Sequence, residues 1–212
     1  MKLTLWNEEY VPNLTELRNP IQFRLGEFAS LKRDLWFREI LLCLLTPQSK
    51  PQHAEWALSQ MEERGLFDGK CEERHVEEIL RDGSHYVRFH RVKAKRIKKF
   101  LLQRPLIEEI LDRRLSPYEE REKLVPLVDG FGWKEGSHAL RNIGRPGLAI
   151  LDRHILRCLL DLGAIDSIPK SLTERRYKEY ERKFQQLADA LGEQMDALDL
   201  LFWARHTGFI YK

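Results

Sequence analysis

Apolar residues recur at every third or fourth position along almost the whole chain, and runs alternating residue by residue are hard to find. That period places apolar side chains on one face of a helix, so the pattern predicts an all-α protein. Phe28, Leu31, Leu35, Ile40, Leu41 and Leu44 trace one early helix. Pro51 is a start signal for a second over 54–64, and helices follow over 76–80 and 92–102. Pro105 and Pro117 punctuate the middle of the chain before helical stretches at 118–127 and 134–142. A helix over 155–162 ends at Gly163, and amphipathic stretches at 177–191 and 193–204 close the pattern. No internal repeat and no low-complexity linker interrupts it.

The connection between the helices at 118–127 and 134–142 carries candidate chemistry. It reads Val128-Asp129-Gly130-Phe131-Gly132-Trp133-Lys134, and Asp152 follows Lys134 by 18 positions in Ile150-Leu151-Asp152-Arg153-His154. Glycines let backbone N–H groups approach a phosphate closely, because no Cβ intervenes and positive φ is open. A lysine at the start of the next helix, with a carboxylate as electrostatic partner, is a candidate nucleophile. A dinucleotide fingerprint is excluded, since Glu135 occupies its third glycine position, and a P-loop is excluded because no Gly-Lys-Ser/Thr follows at its spacing. Taken singly, the residues have plainer readings: a glycine-capped αα-corner, a phosphate-binding Lys134, and an N-capping Asp152.

Together they resemble a known family. The run from Gly130 to Asn142, followed by Ala149-Ile150-Leu151-Asp152-Arg153-His154, is similar to the helix-hairpin-helix DNA glycosylases, and more narrowly to the compact second family of 8-oxoguanine DNA glycosylase/lyases. Leu45-Thr46-Pro47-Gln48-Ser49, the stretch from Arg88 to Ile97 and the terminal Lys212 fit the same family. The resemblance implies two helical subdomains with an active-site cleft between them: 46–145 with the hairpin, and a second built from 1–45 and 146–212. It implies excision of 8-oxoguanine by attack of Lys134 at C1′, with Asp152 stabilising the charge that develops, and strand cleavage 3′ of the lesion through a Schiff base. Phe89, Trp203 and Lys212 match the base pocket. Gly130, Gly132, His154 and Gln48 match DNA contacts, Gln48 as the residue inserted into the gap. By themselves Phe89 and Trp203 read equally as core aromatics, Gln48 as a turn residue and His154 as a surface or capping histidine. Removal of another oxidised base, and a catalytically silent DNA-binding module, are the rival readings.

Composition narrows the picture further. The chain has 212 residues, 42% of them apolar, which is enough for one domain or two small ones. The longest apolar run, around Ile40–Leu45, is far short of a membrane span, and the N-terminal stretch has no signal-peptide core. A cytoplasmic monomer is expected, nucleoid-associated when bound to double-stranded DNA containing oxidised guanine. Cys43, Cys71 and Cys158 are scattered, with no C-x-x-C spacing and no cysteine after Cys158. No iron–sulfur cluster, no structural metal and no required cofactor are expected, although the resemblance allows a monovalent cation at the hairpin carbonyls. Net charge is only +3, but Arg88, Arg91, Lys93, Lys95, Arg96, Lys98 and Lys99 fall together without an acid among them. That run is expected to face phosphates.

Overall fold

A computed structural model describes residues 2–68 and 71–210. Among these every regular element is helical. A short start, α1 (Leu3–Leu5) and a π-helical turn (Trp6–Tyr10), leads into α2 (Val11–Ala29). There follow α3 (Arg33–Leu45), α4 (Pro51–Glu63), α5 (Glu73–Leu80), α6 (His90–Asp112), α7 (Pro117–Leu127) and α8 (Trp133–Asn142). The last three are α9 (Arg153–Asp161), α10 (Glu174–Leu191) and α11 (Met195–Thr207). No described helix is long and apolar enough to cross a membrane.

The chain forms two compact units, one over 32–139 and one from 1–31 with 140–212. The first contains α3 to α7 and most of α8. Here α3 packs on α4 and α6, and α5 and α7 also pack on α6. Phe37 of α3 stacks on Phe100 of α6 with ring centroids 4.5 Å apart. Arg33 and Arg38 of α3 pair with Asp112 and Glu55. These contacts place α3 with 46–139, whereas the resemblance grouped 1–45 with the C-terminal part. The unit boundaries accordingly fall at 31/32 and 139/140 instead of 45/46 and 145/146. In the second unit α11 packs on α2, α9 and α10, around Phe202, Phe184 and Leu198.

Two local expectations change. The single helix traced from Phe28 to Leu44 is two, because Ser30 N and Leu31 N close α2 by donating to Gly26 O and Phe28 O, and extended Lys32 begins α3. Pro105 does not stop α6, which runs to Asp112 with Phe100, Leu101, Ile107 and Leu111 buried on either side. That burial offsets the backbone bond a proline forfeits. Pro117, by contrast, stands at the start of α7 behind a reciprocal cap: Glu119 N donates to Ser116 Oγ at 3.3 Å, and Ser116 N donates to Glu119 Oε2 at 2.9 Å.

Candidate active site

The hairpin joins α7 to α8 within the first unit. Buried Val128 and Phe131 anchor it, and Phe131 N donates to Val128 O at 3.0 Å. Gly130 has φ +96°, a conformation that favours glycine. A Cβ there would lie 2.7–2.9 Å from the Arg96 side chain, which reaches Asp129 at 3.5 Å. Gly136, in the first part of α8, allows close approach to α7: a Cβ would meet Val125 at 3.0 Å and Arg121 at 3.2 Å. Buried Arg121 ties the two helices together, donating to Ser137 Oγ at 2.8 Å with its guanidinium 4.9 Å from the Trp133 ring. Lys134 is half-buried in the first turn of α8. Its neighbour Glu135 reaches back to accept from Gly132 N at 3.1 Å. A carboxylate therefore occupies one of the N–H groups expected to hold a phosphate.

We expect Gly130→Ala to cost about 1–2 kcal/mol, because a Cβ at this φ is strained and Arg96 must also leave Asp129. Thermal unfolding and duplex binding check it. Unchanged stability and affinity would mean that the hairpin does not need this turn.

The expected basic strip on α6 is broken up by its surroundings. Arg91 pairs with Glu77 at 3.2 Å, and Arg96 and Lys99 both face Asp129. Lys93 is only 2% exposed. Its ammonium donates to Leu45 O at 2.6 Å, Pro47 O at 2.8 Å and Ser49 Oγ at 3.1 Å. Burial, reinforced by Arg96 and Arg88, brings its pKa down to about 8. Lys93 is therefore an interior residue, not part of a phosphate-facing surface. Nothing in the sequence separates it from its solvated neighbours.

Gln48 and Phe89 lie in the same unit. Both are non-glycine residues with positive φ, 55° and 60°, and both are exposed. Phe89 caps α6 in the left-handed conformation with its side chain outward, 51% accessible, and the Arg88 guanidinium 5.6 Å from its ring. An aromatic held in a disfavoured backbone state without being buried is not a core aromatic. Such strain persists where the surroundings over-determine it, commonly at working sites.

Asp152, His154 and Trp203 belong to the second unit. Asp152 caps α9: its Oδ1 accepts from His154 N at 2.7 Å and Ile155 N at 2.9 Å. Its Oδ2 takes no hydrogen bond among the described residues. The capping and catalytic readings are thus compatible, since one oxygen can anchor the carboxylate while the other faces a developing charge. The backbone before it is clamped by α10. Ala149 N donates to Glu181 Oε1 at 2.9 Å, the Tyr177 hydroxyl donates to Ala149 O at 2.5 Å, and Leu151 N donates to that hydroxyl at 3.3 Å. Tyr177 and Glu181 escaped the sequence reading because they look like members of an amphipathic helix.

The His154 ring lies edge-on to Trp203 at 5.4 Å and 4.7 Å from His206. Burial pushes the His154 pKa below its ordinary value, with Asp152 opposing and His206 adding to the shift. Neither His154 Nδ1 nor Trp203 Nε1 has a hydrogen-bond partner among the described residues, although both atoms are buried. A buried orphan N–H is costly, and a bound polar group would satisfy it. Lys212 lies outside the described residues. No group of three or more His, Cys, Asp or Glu residues placed to hold a metal occurs among the described ones.

The family profile described as 8-oxoguanine DNA glycosylase matches residues 21–193. The chain belongs to the 8-oxoguanine DNA glycosylase family. Within that family it is 35% identical, over 93% of each chain, to the 8-oxoguanine DNA glycosylase/AP lyase of Fusobacterium nucleatum. It is 34% identical to the protein of the same name from Methanocaldococcus jannaschii, over 93% of this chain and 94% of that one. The crystal structure of the Thermotoga maritima 8-oxoguanine DNA glycosylase superposes with a TM-score of 0.84 at 29% identity, covering 97% of each chain. A Methanocaldococcus jannaschii 8-oxoguanine glycosylase/lyase in complex with a 15mer DNA containing 8-oxoguanine superposes with a TM-score of 0.81 at 31% identity, over 95% of this chain and 98% of that one. For this family member the all-α architecture of the solved relatives is shared along nearly the whole chain.

Proposed function

We propose that the protein excises 8-oxoguanine from duplex DNA and then cleaves the strand 3′ of the lesion. The observation that carries this is Lys134 in the first turn of the hairpin helix, in a chain whose full-length relatives are named as glycosylase/AP lyases. The damaged nucleotide must first leave the stack, at a cost of a few kcal/mol. Hairpin N–H groups grip a phosphate, which sets register without reading sequence. Gln48 fills the vacated space, and Phe89 and Trp203 each offer an aromatic face to the extruded base. The neutral amine of Lys134 then attacks C1′, and the base departs with the electrons of the glycosidic bond. Asp152 stabilises the positive charge that builds on the sugar. Opening of the C1′–O4′ bond turns the resulting aminal into a Schiff base. The iminium acidifies C2′; loss of that proton expels the 3′ phosphate by β-elimination. No step calls for a metal or organic cofactor, and all the side chains come from one chain, so a monomer suffices. A monovalent cation on the hairpin carbonyls would assist the phosphate grip only.

Borohydride reduction during turnover is the direct test. An 8-oxoguanine duplex should yield a covalent protein–DNA adduct and, without reductant, a nicked strand, while undamaged DNA yields neither. An adduct formed only with another oxidised base would move the substrate. No adduct on any lesion would leave a hairpin module that binds without chemistry.

Lys212 enters this reading as a contact to the polar edge of the oxidised base. Deleting it should lower 8-oxoguanine excision about tenfold or more, the scale of one unmet buried polar group, while sparing cleavage at a preformed abasic site. Equal loss of both activities would make it structural.

A further inference from the structure

The most unusual interior group of the first unit is Lys93. Its three N–H donors meet three acceptors, Leu45 O, Pro47 O and Ser49 Oγ. An ammonium has three donors and no acceptor, so the site is fully matched to its charged form. Three oxygens converging on one point would repel one another without that cation. The same Ser49 Oγ also accepts from Arg88 N at 3.0 Å, which fastens the residue before Phe89. One turn into α6, Lys93 N donates to Phe89 O at 2.9 Å. A single side chain therefore ties the segment around Gln48 to the segment around Phe89. Those two segments contain two of the non-glycine residues held at positive φ.

We propose that Lys93 is a positioning residue that locks the Gln48 turn and the Phe89 cap into one rigid unit for capturing the extruded nucleotide; this rests on the reading of Gln48 and Phe89 as DNA contacts. Lys93 is buried and touches no substrate. It acts through the backbone of Pro47 and the hydroxyl of Ser49. Left-handed conformations at glutamine and phenylalanine are disfavoured, so both would relax if the oxygens around them were released. Charge-assisted bonds from a buried ammonium are strong enough to hold them.

The experiment separates extrusion from chemistry. In Lys93→Met, single-turnover excision of 8-oxoguanine from duplex DNA should fall about tenfold, the scale of one or two lost charged hydrogen bonds. Fluorescence of a 2-aminopurine next to the lesion should report slower unstacking. Borohydride trapping at a preformed abasic site, where no base needs capture, should remain within about twofold of wild type. When Gln48→Ala and Phe89→Ala are already present, Lys93→Met should cost little more, because partners acting as one unit are not additive. Should Lys93→Met prove poorly folded, Ser49→Ala removes the shared acceptor and should give the same split. Equal loss of excision and abasic trapping would overturn the proposal and make Lys93 a stability residue. Loss in Gln48→Ala or Phe89→Ala without loss in Lys93→Met and Ser49→Ala would overturn it for Lys93 alone. No loss in Gln48→Ala and Phe89→Ala would instead overturn the DNA-contact reading beneath it.

Discussion

Lys134→Gln should abolish both 8-oxoguanine excision and borohydride trapping while leaving duplex binding within severalfold of wild type. The amide nitrogen of glutamine has no free lone pair, so neither the aminal nor the Schiff base can form. Loss of a nucleophile that acts through a covalent intermediate costs about 10⁴-fold or more. The fold should tolerate the change. Lys134 sits in the first turn of α8, where a positive charge opposes the helix dipole, and a neutral side chain of similar length removes that conflict. The hairpin grip relies on backbone groups and on the Gly130 turn, which the substitution leaves in place. Excision and trapping would be measured with excess enzyme, and binding by competition on an uncleavable duplex. Normal trapping in the variant would place the nucleophile elsewhere.

Asp152→Asn should slow excision by about 10²–10³-fold, the usual worth of a group that stabilises transition-state charge. The structure makes this a clean substitution. Asparagine can still accept from His154 N and Ile155 N through one oxygen, and it is as good an N-cap as aspartate. The clamp of Tyr177 and Glu181 on 149–151 is untouched. What disappears is the negative charge. Thermal unfolding of Asp152→Asn should therefore match wild type, whereas Asp152→Ala should also lose about 1 kcal/mol of capping. An unchanged single-turnover rate in Asp152→Asn would reduce Asp152 to a cap.

Much of this was legible in the residues, and the reason is locality. Helix period, the Ser116-Pro117 start, the Gly130-Phe131-Gly132 turn and the entry of Lys134 into α8 depend on neighbours within a few positions, so each leaves its signature in a short window. The break at 30–32 carries no glycine or proline to mark it, and the continuation of α6 through Pro105 was not legible because packing on either side of it outweighs local preference. The limits of the two units were displaced for the same cause: α3 is as apolar as any terminal helix, and only its contacts with α4 and α6 assign it. Lys93 is the sharpest case. In sequence it is one of seven basic residues in a solvated-looking run, and nothing nearby marks it as interior. Its ammonium is held inside by the Leu45 and Pro47 carbonyls, 48 and 46 positions earlier in the chain. The sequence alone thus determined the helical class and the hairpin, and supplied Lys134 and Asp152 as the candidate pair. The tertiary structure decided which charges are buried, and that Gln48 and Phe89 are strained and share one anchor. Hydrogen bonds and desolvation between residues far apart in the chain set those features, and no local pattern encodes them.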